Sequence, residues 1–325
     1  MKFAYALFFF LTTLTSVLAQ TSITRLERVR LFGTDYVRLN DWAKAMHAET
    51  RWMKKEKELQ INHRDWKLFF EVDTRRSQIN GINILLSFPV LWQKGIPFIS
   101  VIDLQATVQP ILFLPKNATR WRVKTICLDP GHGGKEPGFV EKKNKEKTQT
   151  LLLAEEVQKI LLLGGFKVVM TRTKDEYIDL PERAGIANRK AADVFLSFHF
   201  NAAIRSEVKG AEIYCLAPAG TSSSNTGSSP SGVGSFPGNA QNEKNILLAY
   251  HMQKSILKSL PIEDRGVKRA RFEVLRDARM PAILIEGGFM TNPAEAKKIY
   301  DVGYRKKMAR AIVDGILAYK KIVEQ

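Results

Sequence analysis

The chain has 325 residues, an apolar fraction of 45% and a formal net charge of +17 at pH 7. This is normal for a globular protein with a sizeable core, and the length allows two domains. The positive excess is spread along the sequence, with a pI near 9.8; it favours an anionic wall polymer or a membrane surface as partner, or else is a solvated basic surface. Nucleic acid is excluded by the lack of any nucleic-acid-binding motif and by the export signal at the start of the chain.

That signal is Lys2, the apolar run Phe3 to Leu14 and the small-residue stretch Val17-Leu18-Ala19. It reads as a signal peptide over residues 1–19, cleaved after Ala19. The run falls short of the roughly 20 residues of a membrane-spanning helix, and an uncleaved anchor is the alternative. No Cys follows the cleavage site to take a lipid, and no later stretch is apolar enough to cross a bilayer. The mature protein is therefore expected to be soluble and exported, either periplasmic or secreted.

Residues 20–114 read as a small β-rich accessory domain. Tyr36 to Leu39 is expected as a strand and Asn40 to Ala48 as a helix. Leu59 to Ile61, Trp66 to Val72 and Ile82 to Leu86 follow as strands, punctuated by Gly81 and Pro89. A last strand, Phe98 to Val101, leads into a helix over Asp103 to Val108. The pattern resembles the small domain named after the copper amine oxidase N-terminal region, an accessory module of bacterial wall proteins. The resemblance implies binding or positioning, and neither chemistry nor copper.

Residues 115–123 read as a polar linker. Beyond it strands alternate with helices, so residues 124–325 are expected as an α/β domain. The expected architecture is an open, twisted, mostly parallel sheet with helices on both faces. Thr125 to Leu128, Lys167 to Thr171, Asp193 to Phe198, Ala211 to Leu216 and Ala282 to Glu286 supply strands. Lys147 to Leu163 carries Leu151, Ala154, Val157 and Leu161 on one face and closes at Gly164-Gly165, as a helix should. Pro181 opens a helix to about Ala191, and an amphipathic helix from about Tyr304 closes the chain. The Ser/Gly/Pro-rich run at 217–239 lacks the apolar content to offset ordering entropy and is expected as a mobile loop, either passive or a lid. The two cysteines, Cys127 and Cys215, either pair or serve as small hydrophobes in their strands.

Two histidines stand out. His132 lies in Asp129-Pro130-Gly131-His132-Gly133-Gly134 directly after one strand, and His199 in Ser197-Phe198-His199-Phe200-Asn201 at the end of another. Open α/β sheets place their sites at such strand ends. The other three histidines, His47, His63 and His251, have no motif around them. Two His and one carboxylate form a common catalytic zinc set. Glu146 is the favoured carboxylate because it heads a helix in register with Leu151 and Ala154; Glu141 is a competitor and Glu136 a weaker one. Glu286 closes the apolar strand Ala282 to Ile285, where a carboxylate is costly unless used. It reads as a general base or as a cap for the helix beginning near Pro293.

Four blocks carry a resemblance: Asp129 to Gly134, Glu146-Lys147, Ser197 to Ala202 and Pro281 to Asn292. In order, they resemble the signature blocks of the zinc-dependent N-acetylmuramoyl-L-alanine amidases, the amidase type 3 family. Val169 to Arg172, Leu180 to Arg183 with Ala187-Asn188, and Asp264 to Val267 fall between them as supporting blocks. The resemblance implies zinc held by His132, Glu146 and His199, with Glu286 as the catalytic base. It implies hydrolysis of the amide between the lactyl group of N-acetylmuramic acid and L-alanine of the peptidoglycan stem peptide, in wall remodelling or daughter-cell separation. Phe198, Phe200 and the long Ser/Gly loop depart from the pattern and bear on substrate preference. The protein is expected to act as a monomer.

Overall fold

Strands alternating apolar and polar residues build the first part of the chain, and helices on a sheet build the rest. The computed structural model describes residues 26–113, 121–224 and 234–325; the expected signal peptide and the stretch 114–120 lie outside them. The chain divides into two units, Met1–Ala118 and Thr119–Gln325.

In the first unit, β1 (Arg28–Leu31), β2 (Thr34–Arg38), β9 (Ile96–Ser100) and β8 (Leu91–Gln93) pair antiparallel in that order. A second antiparallel run is a meander of β3 (Glu49–Lys54), β4 (Glu58–Asn62), β5 (Lys67–Glu71), β6 (Arg76–Ile79) and β7 (Ile82–Leu85). Leu59, Ile61, Leu68, Phe70, Ile79 and Ile84 are buried, as the period-two pattern requires. Helix α1 (Leu39–Ala45) is shorter than the sequence predicts. It stops where His47 turns left-handed at φ 55°. Residues 101–112 form a second helical segment, α2, with one π turn over Leu104–Val108. Its first turn is fixed by Ser100, whose hydroxyl accepts from the Asp103 amide, and by the buried Asp103 carboxylate, which accepts from the Ser87 and Phe88 amides.

The second unit is the α/β layer structure. β10 (Thr125–Pro130) lies between β13 (Lys167–Met170) and β14 (Val194–Asn201), parallel to both. β14 is parallel to β17 (Ala282–Phe289), β17 antiparallel to β15 (Ala211–Leu216), and β15 parallel to β16 (Asp264–Ala270). The sheet is thus mostly parallel, with one antiparallel step. Helices α3 (Glu146–Leu163), α5 (Asn242–Ser259) and α8 (Val302–Val323) pack together on one face. On the other, α4 (Leu180–Arg189) and α6 (Glu273–Arg276) bury Ala184, Ala187, Val274 and Leu275 against Cys127, Phe195 and Leu284. A short helix, α7 (Pro293–Ile299), follows β17.

Local chemistry explains the boundaries. Gly165, at φ 78°, closes α3 in a Schellman arrangement: the Phe166 amide donates to Leu161 O and the Gly165 amide to Leu162 O. Asn242–Ser259 is a full helix for which no bounds were expected from the sequence. The hairpin of β11 (Val140–Glu141) and β12 (Asn144–Lys145) was not foreseen, because two-residue strands carry no period.

Both cysteines are buried and free, so no disulfide links them. Val123, read as linker, is buried, and its amide donates to Glu324. At both ends of the expected 217–239 loop the described residues are held in place. Arg271 donates to Pro218 O, Ser223 Oγ accepts from the Arg271 amide, and Pro237–Gln241 is a 3-10 turn. Buried arginine donors there do what apolar content was expected to do. Residues 225–233 lie outside the described set.

Candidate metal centre

β10 ends at Pro130, and the chain turns through Gly131-His132-Gly133-Gly134 at the carboxyl edge of the sheet. His132 sits in the left-handed region at φ 62°, which costs a non-glycine residue on the order of 1–3 kcal/mol. Gly131 cannot carry a side chain, since a Cβ there would lie 2.3 Å from the His199 ring and 2.7 Å from Phe198 O. The carbonyls of the turn are received by two arginines, each only 1% exposed. Arg172 donates from Nε to Pro130 O at 2.9 Å and from Nη2 to Gly131 O at 3.0 Å. Arg183 donates from Nη1 to Pro130 O at 3.0 Å and from Nη2 to His132 O at 2.9 Å. Arg183 Nη1 also pairs with the buried Asp129 carboxylate at 2.8 Å, which accepts Thr171 Oγ1 and Ser197 Oγ at 2.7 Å each.

Glu146 opens α3 from an extended Lys145. Its Oε1 lies 3.1 Å from His132 Nε2 and 3.0 Å from His199 Nδ1, and accepts the Phe200 amide at 3.1 Å. Its Oε2 accepts the Phe139 amide at 3.0 Å. A Cβ on Gly138 would strike that same oxygen at 2.5 Å, so the glycine keeps the approach open. Burial opposes ionisation of Glu146, but hydrogen bonds and charges from His132 and His199 outweigh it and hold the carboxyl well below the usual carboxylate range. One ligand-type atom from each of His132, Glu146 and His199 lies within 4.8 Å of the others, the one group of this kind among the described residues. The two imidazoles are 25% and 18% exposed and the carboxylate 7%. Two imidazole nitrogens and an ionised carboxylate, open on one side to solvent, fit a divalent ion such as zinc.

Glu286 stands beside His199 in the β14–β17 register and opposite Glu212 in the β15–β17 register. The residue is partly exposed, yet Oε2 is buried and accepts no hydrogen bond among the described residues. Burial, reinforced by the negative charges of Glu146 and Glu212 and opposed by Lys268, pushes the carboxyl well above its ordinary value. Glu212 is its opposite: buried, it accepts Asn201 Nδ2 at 2.6 Å, Tyr214 OH at 2.9 Å and Arg265 Nε at 3.1 Å, and pairs with Lys268.

The competing roles sort themselves out spatially. Glu141 lies in the hairpin and accepts the Tyr300 hydroxyl at 3.2 Å, outside the His–Glu–His group. Glu136 is likewise outside the group and makes a backbone bridge with Gly133. The helix after β17 is capped by Asn292, whose side chain accepts from the Ala294 and Glu295 amides, so Glu286 is not needed as its cap. Sequence reasoning missed Glu212, Arg172 and Arg183 as parts of the site. Glu212 could have been found by alternation, because it shares a strand face with Tyr214. The two arginines stood in the supporting blocks, with no role assigned to them.

A His–Glu–His group at the carboxyl edge of an open α/β sheet defines a hydrolase-type centre able to hold a metal. The family model for N-acetylmuramoyl-L-alanine amidases, Amidase_3, matches residues 126–318, and the chain belongs to that family. Membership makes it an amide hydrolase. The chain is 34% identical to the uncharacterized protein YqiI of Bacillus subtilis, over 60% of this chain and 84% of that one. It is 33% identical to the N-acetylmuramoyl-L-alanine amidase LytC of the same organism, over 60% of this chain but only 35% of LytC. With the amidase AmiC of Neisseria meningitidis it shares 32% identity over 63% of this chain and 55% of that protein. Among solved structures, the catalytic domain of CwlV from Paenibacillus polymyxa matches with 30% identity and a TM-score of 0.52, over 62% of this chain and 99% of that one. AmiC2 of Nostoc punctiforme matches with 32% identity and a TM-score of 0.52, over 61% and 97%. The family match begins at Ile126, so the first unit lies outside it. No helix among the described residues is long and apolar enough to cross a membrane.

Proposed function

We propose that this chain hydrolyses the amide between the lactyl group of N-acetylmuramic acid and L-alanine of the peptidoglycan stem peptide, with zinc held by His132, Glu146 and His199. The carrying observation is the convergence of those three side chains beside a carboxylate whose Oε2 meets no hydrogen-bond partner among the described residues, in a chain of the amidase family. The chemistry zinc supplies in such a site is Lewis-acid activation of water and of a carbonyl. Glu286 does the proton work. Its free Oε2 accepts a proton from the attacking water, and the same oxygen returns it to the alanine nitrogen as the C–N bond breaks. A carboxyl held above the usual range can both take and give a proton near neutrality. Phe198 and Phe200, on either side of His199 in its strand, are buried.

Export through the 1–19 signal peptide would place this activity in the periplasm or outside the cell, where it would serve wall remodelling or daughter-cell separation. Residues 20–114 would act as an accessory module on the wall, helped by the basic surface meeting anionic polymer or lipid, and the protein would act as a monomer. The test is mass analysis of purified muropeptides after incubation with the protein. Free stem peptide beginning with L-alanine is the expected product. Cleavage inside the peptide, or loss of acetate from the sugar, would replace the amidase reading with a peptidase or deacetylase.

A further inference from the structure

His132 and Glu146 come from different elements; backbone hydrogen bonds tie the start of α3 to Pro137 and Phe139, a few residues beyond the turn that carries His132. The turn carrying His132 holds a left-handed, unfavourable conformation at that residue, while Glu146 sits in the first turn of α3. One buried side chain touches both places. Arg172 reaches Gly131 O, next to His132, at 3.0 Å, and from the same Nη2 atom reaches Lys147 O, next to Glu146, at 2.7 Å. Thr150, fully buried one turn into α3, completes the link: its Oγ1 donates to Gly131 O at 2.8 Å and lies 3.2 Å from Arg172 Nη2.

A guanidinium presents its donors in a rigid plane, so a single group can fix the relative position of two carbonyls as no lysine can. Arg172 also donates to Pro130 O and Lys174 O, so four of its bonds end on backbone carbonyls, drawn from three segments of the chain. Burial alone requires that the donors of this guanidinium be met, since an unpaired buried charge is costly, but not that they be met by these particular segments. We propose that Arg172 is a positioning residue that sets the spacing of His132 against Glu146, holding the His–Glu–His group in its metal-accepting geometry before a metal arrives. The inference rests on the metal reading of that group.

The experiment is chelator-competition measurement of zinc affinity, with the melting temperature of each metal-free protein alongside. Wild type, Arg172→Lys, Thr150→Val, Glu146→Ala and Arg269→Lys are compared in the full chain. Arg269 is an equally buried arginine that donates to Leu216 O, away from the three ligands. Arg172→Lys is expected to weaken zinc binding by about tenfold to a hundredfold, the range for lost partners of metal ligands. Arg269→Lys should lower the melting temperature and leave zinc affinity unchanged. Wild-type affinity in a folded Arg172→Lys protein overturns the proposal. If Arg172→Lys does not fold, Thr150→Val decides: weaker zinc binding supports the positioning link, and unchanged binding overturns it. Failure of the underlying metal reading is recognised separately, by a wild type that binds no zinc or a Glu146→Ala protein that binds it as tightly as wild type; either removes the proposal as well.

Discussion

Glu146 and Glu286 sit at the same edge of the same sheet and receive opposite treatment. Glu146 is met by two imidazoles and two backbone amides, which together hold it ionised. Glu286, on the strand beside that of His199, has an oxygen with no hydrogen-bond partner among the described residues and a carboxyl pushed toward its protonated form. Between Glu286 and β16 stands Glu212, which pairs with Arg265 and Lys268. The cations that could have tied down Glu286 are occupied by a neighbour. Under the proposed function, two carboxylates of identical chemistry serve as a ligand and a proton carrier through their surroundings alone.

The largest expected effect breaks the ligand half of this comparison. Glu146→Ala should reduce bound zinc to background, and turnover should fall by more than about a hundredfold, beyond the cost of losing a ligand's supporting partner. Glu141→Ala should leave metal content as in wild type. Metal analysis of both variants checks this, and zinc loss in Glu141→Ala alone would reverse the assignment of the carboxylate.

A smaller effect sharpens the proton-carrier half. A carboxyl whose pKa in the fold is raised above its unfolded value favours folding while both states are protonated. That contribution is lost as pH rises from the ordinary value of 4.5 through the raised one. The metal-free protein should therefore lose melting temperature over that window relative to Glu286→Gln, which cannot ionise. Parallel melting curves across the same pH range would contradict the raised pKa.

The smallest effect on chemistry should come from the first unit. A folded chain lacking residues 21–114 is expected to hydrolyse soluble muropeptides within about twofold of the full chain and to bind intact sacculi more weakly. All candidate site residues lie after Lys124, which makes activity per molecule the deciding measurement.

Much of this site was legible in the sequence because its residues occur where elements end. His132 and His199 follow buried apolar strands, and Glu146 heads a helix whose register Leu151 and Ala154 fix. Strand and helix periods locate such ends well. What stayed hidden was partnership. Arg172 and Arg183 look like surface charges in a basic chain until the carbonyls of the Pro130–His132 turn are seen to need donors. Glu212 alternates correctly on its strand, but nothing local announces Lys268, which arrives from β16. The anchoring of the described residues at the start of the 217–239 segment was hidden for the same reason, since the arginine that pins them comes from residue 271. Element ends also shifted by a few residues: α3 begins at Glu146 because Lys145 remains extended, a detail of one dihedral pair that periodicity does not resolve.

The central claim is that Glu286 moves protons and does not hold the metal. A single preparation of Glu286→Gln tests it, with zinc content, melting temperature and turnover measured on the same sample. The account requires zinc near one per chain, a folded protein, and turnover lower by roughly a hundredfold or more, the usual cost of removing a positioned general base. Near-normal turnover in a folded, zinc-loaded Glu286→Gln protein would contradict it.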